Sequence, residues 1–192
     1  MNDSSRVVYR ESAFTAPRPD CPYPERWHAH DDQSTELEVT TLIAAMVIAL
    51  QPDFVLETGT CIGVTAEAIG AALRTNGQGL LVSLEVEPNR IAVARERCRD
   101  LPVSILELSS LEYVPDRPID FAFFDSLARL RPLEFERFLP WMHDRTIVGF
   151  HDTAPHHSVR ERLVPLEHKG LILSPLYLPT ARGIMFARVG GR

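Results

Sequence analysis

Residues 53–65 read Asp-Phe-Val-Leu-Glu-Thr-Gly-Thr-Cys-Ile-Gly-Val-Thr, and a stretch of helical composition follows over residues 66–73. An apolar run that ends in an acid and a glycine-bearing turn predicts a buried strand, a tight loop and a helix N-terminus. The spacing, Glu-x-Gly-x-x-x-Gly, is neither the dinucleotide fingerprint nor a phosphate loop. Glycines let the backbone approach a ligand closely, and the leading carboxylate suits an ammonium group or ribose hydroxyls better than a pyrophosphate.

Strands and helices alternate regularly from residue 34 onward. We predict strands at residues 54–57, 80–85, 103–106, 119–124, 146–150, 171–178 and 183–189. We predict helices from a Thr35–Glu38 capping box to near Pro52 and at residues 64–74, 89–99, 110–113, 132–142 and 158–166. The helix at 132–142 carries Leu133, Phe135, Phe138 and Leu139. This order indicates a doubly wound α/β sheet, closed by a hairpin at residues 179–182.

Residues 55–65 resemble the first motif of the class I S-adenosylmethionine-dependent methyltransferases. The chain is similar in particular to the small O-methyltransferases of the catechol and caffeoyl-CoA type, and to bacterial relatives that end the fifth strand with His-Asp, as His151-Asp152 does here. The resemblance spans residues 34–192 and is looser at 146–153. It implies a Rossmann-like sheet of seven mostly parallel strands with a C-terminal antiparallel hairpin.

Composition is that of an ordinary globular protein of one domain. The chain has 192 residues, 45% of them hydrophobic and 24% charged, with a net charge of −6. No block of Lys or Arg stands out, so nucleic acid is not expected as a partner. The three cysteines lie far apart, which is typical of reduced thiols in the cytoplasm. The longest apolar stretch, Leu42 to Leu50, is too short to span a membrane, and no signal region is evident.

Residues 1–33 differ from the rest, because four prolines and several aromatic residues stand among polar ones. Proline removes donors and restricts its neighbours, so little regular structure is expected. One interpretation is a surface or disordered tail. The other is an arm folded over the active site or onto a partner subunit, which the aromatic residues favour. We therefore divide the chain into an arm, 1–33, and a cofactor-binding domain, 34–192.

Polar residues end five consecutive strands, at Glu57, at Glu85, in the region 107–110, at Asp125 and at His151-Asp152. Ligands bind at the carboxyl ends of the strands in open α/β sheets. The resemblance implies S-adenosylmethionine as the ligand, with a ribose-binding acid at Glu85 (or Glu87, one register away) and adenine contacts at Ser109 and Ser110, where Ser109 could equally cap a helix. The predicted cofactor-binding residues are Glu57, Thr58, Gly59, Thr60, Gly63, Thr65, Glu85, Ser109, Ser110 and Asp125.

Asp125 and Asp152 end neighbouring strands, and two adjacent carboxylates repel unless a cation or a proton lies between them. Mg²⁺ or another hard divalent cation takes such oxygen ligands. Metal-dependent members of the resembled family hold a metal at these two strand ends, with an asparagine as third ligand. Here Thr153 stands in that place. Alternatively, Asp125 contacts only the cofactor and Asp152 caps a helix.

The chain also departs from the family at the residue that removes the acceptor proton, in addition to the change at Thr153. Catechol-type enzymes carry a lysine three residues after the first aspartate, and here that position is Ala128. Histidine titrates near neutrality and can act as the base. Five histidines are expected near the mouth of the site: His28, His30, His151, His156 and His157. Asp125 with His151 or His156 as base is the predicted catalytic set, although strand alternation could turn His151 away.

The predicted function is O-methylation of a small hydroxylated molecule by S-adenosylmethionine, with divalent-metal assistance as an option. A homodimer is expected from family likeness alone. Two alternative functions stay open. One is a degenerate methyltransferase-like binding module, because the lysine and the asparagine are both missing. The other is a nicotinamide-dependent oxidoreductase, against which the missing dinucleotide fingerprint argues. A transition-metal site at His151, Asp152, His156 and His157 is a weaker reading.

Overall fold

In the computed structural model, which describes residues 10–11, 24–31 and 33–191, seven strands form one sheet. The strands are β1 Phe54–Thr58, β2 Leu80–Glu85, β3 Val103–Glu107, β4 Ile119–Phe124, β5 Met142–His151, β6 Ile172–Leu178 and β7 Ile184–Val189. The helices are α1 Leu37–Leu50, α2 Val64–Asn76, α3 Pro88–Arg97, α4 Arg131–Phe138 and α5 Val159–His168.

The strand order is β3-β2-β1-β4-β5-β7-β6. Neighbouring strands from β3 through β5 are parallel, and β7 runs antiparallel to both β5 and β6. The order reverses between β1 and β4, which is the topological switch point where this class of sheet binds ligands. The predicted doubly wound sheet with an antiparallel C-terminal hairpin is confirmed.

The core lies on both faces of the sheet. Helices α1, α2 and α3 cover one face, and α4 and α5 cover the other. Side chains of β4 alternate accordingly: Phe121 and Phe123 face the first layer, whereas Ala122 and Phe124 face the second. No helix in the described parts of the chain is long and apolar enough to cross a membrane.

Two predicted helices are wrong in extent. The short helix at 110–113 is a single turn, in which the N–H groups of Glu112 and Tyr113 both donate to Ser109 O (2.9 and 3.1 Å). Helix α4 ends at Phe138 and not at Met142, because Pro140 has no N–H to continue the ladder; a 3₁₀ turn, Leu139–Trp141, follows. Strand β5 consequently begins at Met142, four residues before the predicted start.

The buried face of α4 includes Phe135 and Phe138 but not Leu133. Leu133 is 52% exposed, and the inward positions are Arg131, Glu134, Phe135 and Phe138. These four positions follow the spacing of one helix face. Helix α4 therefore brings one buried cation and one buried acid beneath the carboxyl ends of the strands.

The N-terminal segment is described only in part. Arg10–Glu11 and His28–Ala29 form a two-residue antiparallel pair, and the residues between 12 and 23 lie outside the described residues. Trp27 packs on the layer of α1, α2 and α3. The boundary between arm and domain at residue 33 stays a prediction.

Candidate functional site

A cavity of about 560 Å³ opens at the carboxyl ends of β1 to β5. Five of the predicted cofactor-binding residues line it: Gly59, Glu85, Ser109, Ser110 and Asp125. The predicted ligand Asp152 also lines it, together with four residues that the sequence analysis did not select: Gln33, Arg90, Arg131 and Arg182. The strand ends therefore meet around one space, as their order along the chain indicated.

The loop after β1 depends on glycine for both its backbone conformation and its close contacts. Gly59 has φ 83°, and a Cβ there would lie 2.5 Å from the carbonyl oxygen of Asp125. Gly63 has φ 82° at the N-cap of α2, and a Cβ there would lie 2.9 Å from Cβ of Ala94. Such backbone angles and distances exclude other residues without rearrangement. The loop can thus pass directly over the end of β4.

Glu85 holds the loop in place from the end of β2. Its Oε2 accepts the N–H of Cys61 at 2.8 Å, and its Oε1 accepts the N–H groups of Val86 (2.8 Å) and Glu87 (3.1 Å). The carboxylate is buried in the cavity wall, and Oε2 keeps lone pairs for a further donor. Glu87, the register alternative, is exposed at the N-cap of α3 and also lines the cavity.

Glu57 and Thr60 lie beneath the loop and do not line the main cavity. Ser83 connects them, because its hydroxyl lies 2.5 Å from Thr60 Oγ1 and donates to Glu57 Oε2. Burial raises the pKa of Glu57 to about 8, against the opposing effect of the Ser83 hydrogen bond and with the charges of Asp125 and Glu85 adding to the rise. Glu57 is therefore a support of the loop that is largely protonated at neutral pH.

Glu134 is a buried acid that accepts three hydrogen bonds, and the sequence analysis did not identify it. Its carboxylate accepts the hydroxyl groups of Thr58 (2.9 Å), Ser110 (2.5 Å) and Ser126 (2.7 Å). Burial raises the pKa of Glu134, and these three hydroxyls oppose the rise. The side chains of Thr58 and Ser110, predicted to contact the cofactor, are thus turned toward α4.

Arg131 lies between Asp125 and Asp152. Its Nη2 is 3.0 Å from Asp125 Oδ1 and 2.7 Å from Asp152 Oδ2. Its Nε donates to Ser126 O at 2.8 Å, and its Nη1 donates to His151 O. The guanidinium is 3% exposed and lines the cavity. Its charge and its fork of donors hold the ends of β4 and β5 together.

Arg182, in the β6–β7 hairpin, is a second cation at the same carboxylate. Its Nε lies 2.7 Å from Asp152 Oδ1, and its backbone N–H donates to Glu36 Oε1 at 2.8 Å. Burial acts to raise the pKa of Asp152, but the positive charges of His151, Arg131 and Arg182 outweigh it and hold that pKa well below its usual range. Asp152 is accordingly a permanent anion.

His151 is fully buried, and both its ring nitrogens face carboxylates. Nε2 lies 2.7 Å from Glu36 Oε2, and Nδ1 lies 3.1 Å from Asp125 Oδ1. Burial acts to lower the pKa of His151, but Asp125, Asp152 and Glu36 together raise it to about 10. The ring is therefore an imidazolium that donates at both nitrogens, and it offers no free lone pair to a substrate hydroxyl.

The remaining predicted residues lie apart from the cavity. Thr153 is buried and donates its N–H to Gly183 O. Thr65 lines only a small cleft beside the main cavity, where its hydroxyl donates to Thr35 Oγ1. His156 is exposed in the turn Pro155–His157. No histidine lines the cavity within residues 24–31 and 33–191, although His151 Nδ1 lies 3.1 Å from Oδ1 of Asp125, which does line it.

The histidines outside the cavity have other surroundings. His28 Nδ1 is 2.8 Å from Glu38 Oε1, which also shows that Glu38 makes no capping box with Thr35. Thr35 Oγ1 instead donates to Asp125 Oδ2 at 2.8 Å. His157 Nε2 lies 3.7 Å from Asp152 Oδ1, and burial lowers the pKa of His157 to about 4.

The donor set at Asp125 and Asp152 does not fit a divalent cation as it stands. Ligand atoms of Asp125, His151 and Asp152 lie within 4.8 Å of one another, which suits a metal in dimension. Mg²⁺, however, binds oxygen at roughly 2.1 Å, and the space between the two carboxylates holds the Arg131 guanidinium. His151 also presents N–H groups and not a lone pair. The cation that the paired carboxylates require is an arginine.

Sequence reasoning missed Arg131, Arg182, Glu36 and Glu134. A signal existed for two of them, because Arg131 and Glu134 fall on the same helix face as Phe135 and Phe138. No signal marks the contacts of Glu36 with His151 and Arg182, which span more than a hundred positions.

The family model described as "Methyltransferase domain" matches residues 56–153, just over half of the chain. The chain therefore belongs to the methyltransferase domain family, and the predicted methyltransferase class is confirmed. The matched segment runs from β1 to the residue after Asp152 and so contains the loop, Glu85 and both aspartates. No curated protein matches the chain by sequence at a significant level.

Solved structures share this fold at low sequence identity. A methyltransferase from Podospora anserina with SAH bound superposes with a TM-score of 0.73 at 17% identity, covering 83% of this chain and 81% of that one. An O-methyltransferase from Bacillus cereus in complex with SAH gives 0.70 at 18% identity, covering 82% and 83%. An O-methyltransferase of tomaymycin synthesis from Streptomyces achromogenes, in complex with SAM, gives 0.69 at 20% identity, covering 83% of each chain.

Proposed function

We propose that this chain transfers a methyl group from S-adenosylmethionine to a hydroxyl oxygen of a small molecule. The observation that carries the proposal is one cavity of about 560 Å³ that both Glu85 and Asp125 line. Small-molecule sites have volumes of about 300–1,000 Å³. Membership of the methyltransferase domain family supports methyl transfer, and the SAM- or SAH-bound neighbours support this methyl donor.

We assign the residues that line the cavity to three parts of it. Glu85, with Val86 and Ser109 beside it, lines the part suited to a nucleoside, because a carboxylate can accept two ribose hydroxyls. Gly59 lines the part suited to the amino-acid end of the donor, because the glycine loop lets a ligand approach the backbone closely. Asp125, Ser126 and Arg131 border the remaining space, which we assign to the acceptor.

S-adenosylmethionine supplies a methyl group that is already activated by the positive charge on its sulfur. The acceptor oxygen attacks this carbon in line, the C–S electron pair stays on sulfur, and the products are a methyl ether and S-adenosylhomocysteine. The protein must orient the acceptor, exclude water and take up the hydroxyl proton.

Asp125 is the proton acceptor that we propose. It lines the cavity, whereas His151 donates at both ring nitrogens and His156 lies outside. Hydrogen bonds from Thr35 and His151 fix both of its carboxylate oxygens in position. A catechol-like phenol or a sugar with neighbouring hydroxyls fits this arrangement, because the second hydroxyl can bond the Ser126 side of the cavity.

The first test is calorimetric titration with S-adenosylmethionine and S-adenosylhomocysteine, followed by a panel of phenols and sugars with S-adenosylhomocysteine formation as readout. Micromolar cofactor binding with turnover of a hydroxyl acceptor is the expected result. Cofactor binding without turnover of any acceptor would favour the degenerate binding module. Binding of a nicotinamide nucleotide in place of the cofactor would favour the oxidoreductase, and no binding of either would refute the proposal.

Residues at the end of the arm support a covering role for it. Arg182 Nη1 lies 3.4 Å from the carbonyl oxygens of Gln33 and Ser34, and Gln33 lines the cavity. We propose that the arm forms one wall of the site and contributes to acceptor choice. Location in the cytoplasm, a homodimer and the lack of a nucleic-acid partner stay predictions from composition and family resemblance.

A further inference from the structure

We propose that the acceptor end of this site works without a divalent metal, and that Arg131 is the positioning residue that takes the place of the metal between Asp125 and Asp152. This inference rests on the proposed function, since it concerns how the same cavity handles its acceptor. It departs from the metal-assisted reading of the two strand-end carboxylates.

The position of the guanidinium is the first argument. Arg131 Nη2 contacts Asp125 Oδ1 and Asp152 Oδ2 at 3.0 and 2.7 Å, so one nitrogen bridges the two carboxylates that a metal would bridge. Its other nitrogens donate to the carbonyl oxygens of Ser126 and His151. A group held by contacts at all three nitrogens, and 3% exposed, is a fixed part of the site.

The charge balance is the second argument. Arg131 and Arg182 supply two permanent positive charges against the two carboxylates of Asp125 and Asp152. A divalent cation would add two further positive charges to a buried site that is already neutral in these four groups. Like charges a few ångströms apart in a poorly solvated site repel strongly. The site therefore disfavours the cation that its carboxylates alone would attract.

The third argument is the position of Arg131 on helix α4. It stands at the first residue of α4, on the face that also buries Glu134, Phe135 and Phe138. The packing of that face against the sheet sets the direction of the side chain. Because the guanidinium lines the cavity, it also presents a fixed positive charge to an acceptor oxygen that loses its proton.

Titration of the metal-stripped protein with Mn²⁺, with S-adenosylhomocysteine present and absent, tests the inference directly. We expect no Mn²⁺ binding to the wild-type protein by calorimetry or by loss of the free-ion electron paramagnetic resonance signal. Micromolar Mn²⁺ binding would overturn the inference. Binding of S-adenosylhomocysteine in the same experiment reports on the proposed function separately, so either idea can fail alone.

The variant Arg131→Met keeps most of the side-chain length and removes the charge. We expect it to gain Mn²⁺ binding, tighter than wild type by about tenfold or more, because two freed carboxylates are typical oxygen ligands. Arg129→Met is the matched control: Arg129 is exposed, two residues earlier, and not part of the cavity lining, so its loss should leave Mn²⁺ binding unchanged.

A folded Arg131→Met protein, judged by its thermal transition, that still binds no Mn²⁺ would overturn the inference as well. If the variant does not fold, the wild-type titration decides. Once an acceptor is known, the rate of the wild-type protein should be the same in a chelator and in excess Mg²⁺, and a rate lost in the chelator would contradict the inference.

Discussion

His151 Nε2 and Glu36 Oε2 lie 2.7 Å apart across 115 positions of sequence, and both side chains are fully buried. This pair joins the end of β5 to the residue before α1. Glu36 also accepts the N–H of Arg182, and His151 also donates to Asp125. The residue before α1, the hairpin and the ends of β4 and β5 are therefore connected at one buried pair of charges.

Breaking this pair should be costly. His151→Asn leaves Glu36 as a buried acid without its partner, and we expect a loss of about 3 kcal/mol in the free energy of unfolding, measured by urea denaturation. His156→Asn, at an exposed position, should change it by less than about 0.5 kcal/mol. Adding Glu36→Gln to His151→Asn should recover part of the loss, and a fully additive double variant would contradict a direct coupling.

Glu85 should govern cofactor affinity. In Glu85→Gln the carboxylate is replaced by an amide that can no longer accept donors at both oxygens, so S-adenosylhomocysteine should bind roughly tenfold to a hundredfold more weakly in calorimetry. Glu112→Gln removes an equal charge at an exposed position outside the cavity lining and should bind nearly as well as wild type. Equal effects of the two substitutions would mean that net charge, and not the Glu85 contact, determines affinity.

Gly59 should tolerate no side chain. Alanine at Gly59 places a Cβ 2.5 Å from the carbonyl oxygen of Asp125, at φ 83°. Gly77 also has a positive φ, 70°, but no atom lies within 4 Å of its Cβ position. Gly77→Ala should therefore lower the free energy of unfolding by only about 1 kcal/mol, which is the cost of placing alanine in the left-handed conformation. Gly59→Ala should cost several-fold more in urea denaturation, and similar costs would show that close approach is not what requires this glycine.

Glu57 should make the protein less stable as pH rises. Burial raises its pKa from 4.5 to about 8, so between these values the folded state keeps a proton that the unfolded chain has lost. Its stabilising contribution is complete below 4.5 and declines, by about 1.4 kcal/mol per pH unit, until pH passes the folded pKa of about 8.

The comparison of Glu57→Gln with wild type isolates this effect. Glutamine resembles the protonated acid, so the variant should lose less stability than wild type across that pH range in urea denaturation. Glu112→Gln, at an exposed position, should follow the wild-type profile. Parallel profiles for wild type and Glu57→Gln would contradict the raised pKa.

The sheet could be predicted because its signals are local. Strands β1 to β4 are short, mostly apolar runs that end in a polar residue or are followed directly by one, and the predicted bounds of β2 and β4, Leu80–Glu85 and Ile119–Phe124, agree with the structure. The buried face of α4 could not be predicted from local sequence. Leu133 and Phe135 both suit a helix, and only tertiary packing decides which of them is buried.

The residues of the site likewise fall into those that local sequence predicts and those that depend on tertiary contacts. Gly59, Glu85 and Asp125 follow from strand ends and a loop motif, and the structure places all three at the cavity. The protonation of His151 could not be inferred, because it depends on Glu36, which is far away in sequence. Charge alone predicted a metal ion or a proton between Asp125 and Asp152, whereas the Arg131 guanidinium that lies there depends on how α4 packs.

Arg131 has a consequence for other chains with this fold. If Arg131 takes the place of a metal here, the strand-end aspartates do not by themselves determine their counter-charge, and the first residue of α4 contributes to that choice. A metal requirement inferred from the strand ends alone would then be misassigned wherever that helix supplies its own cation. Sensitivity to a chelator would depend on one helix position and on no residue of the sheet.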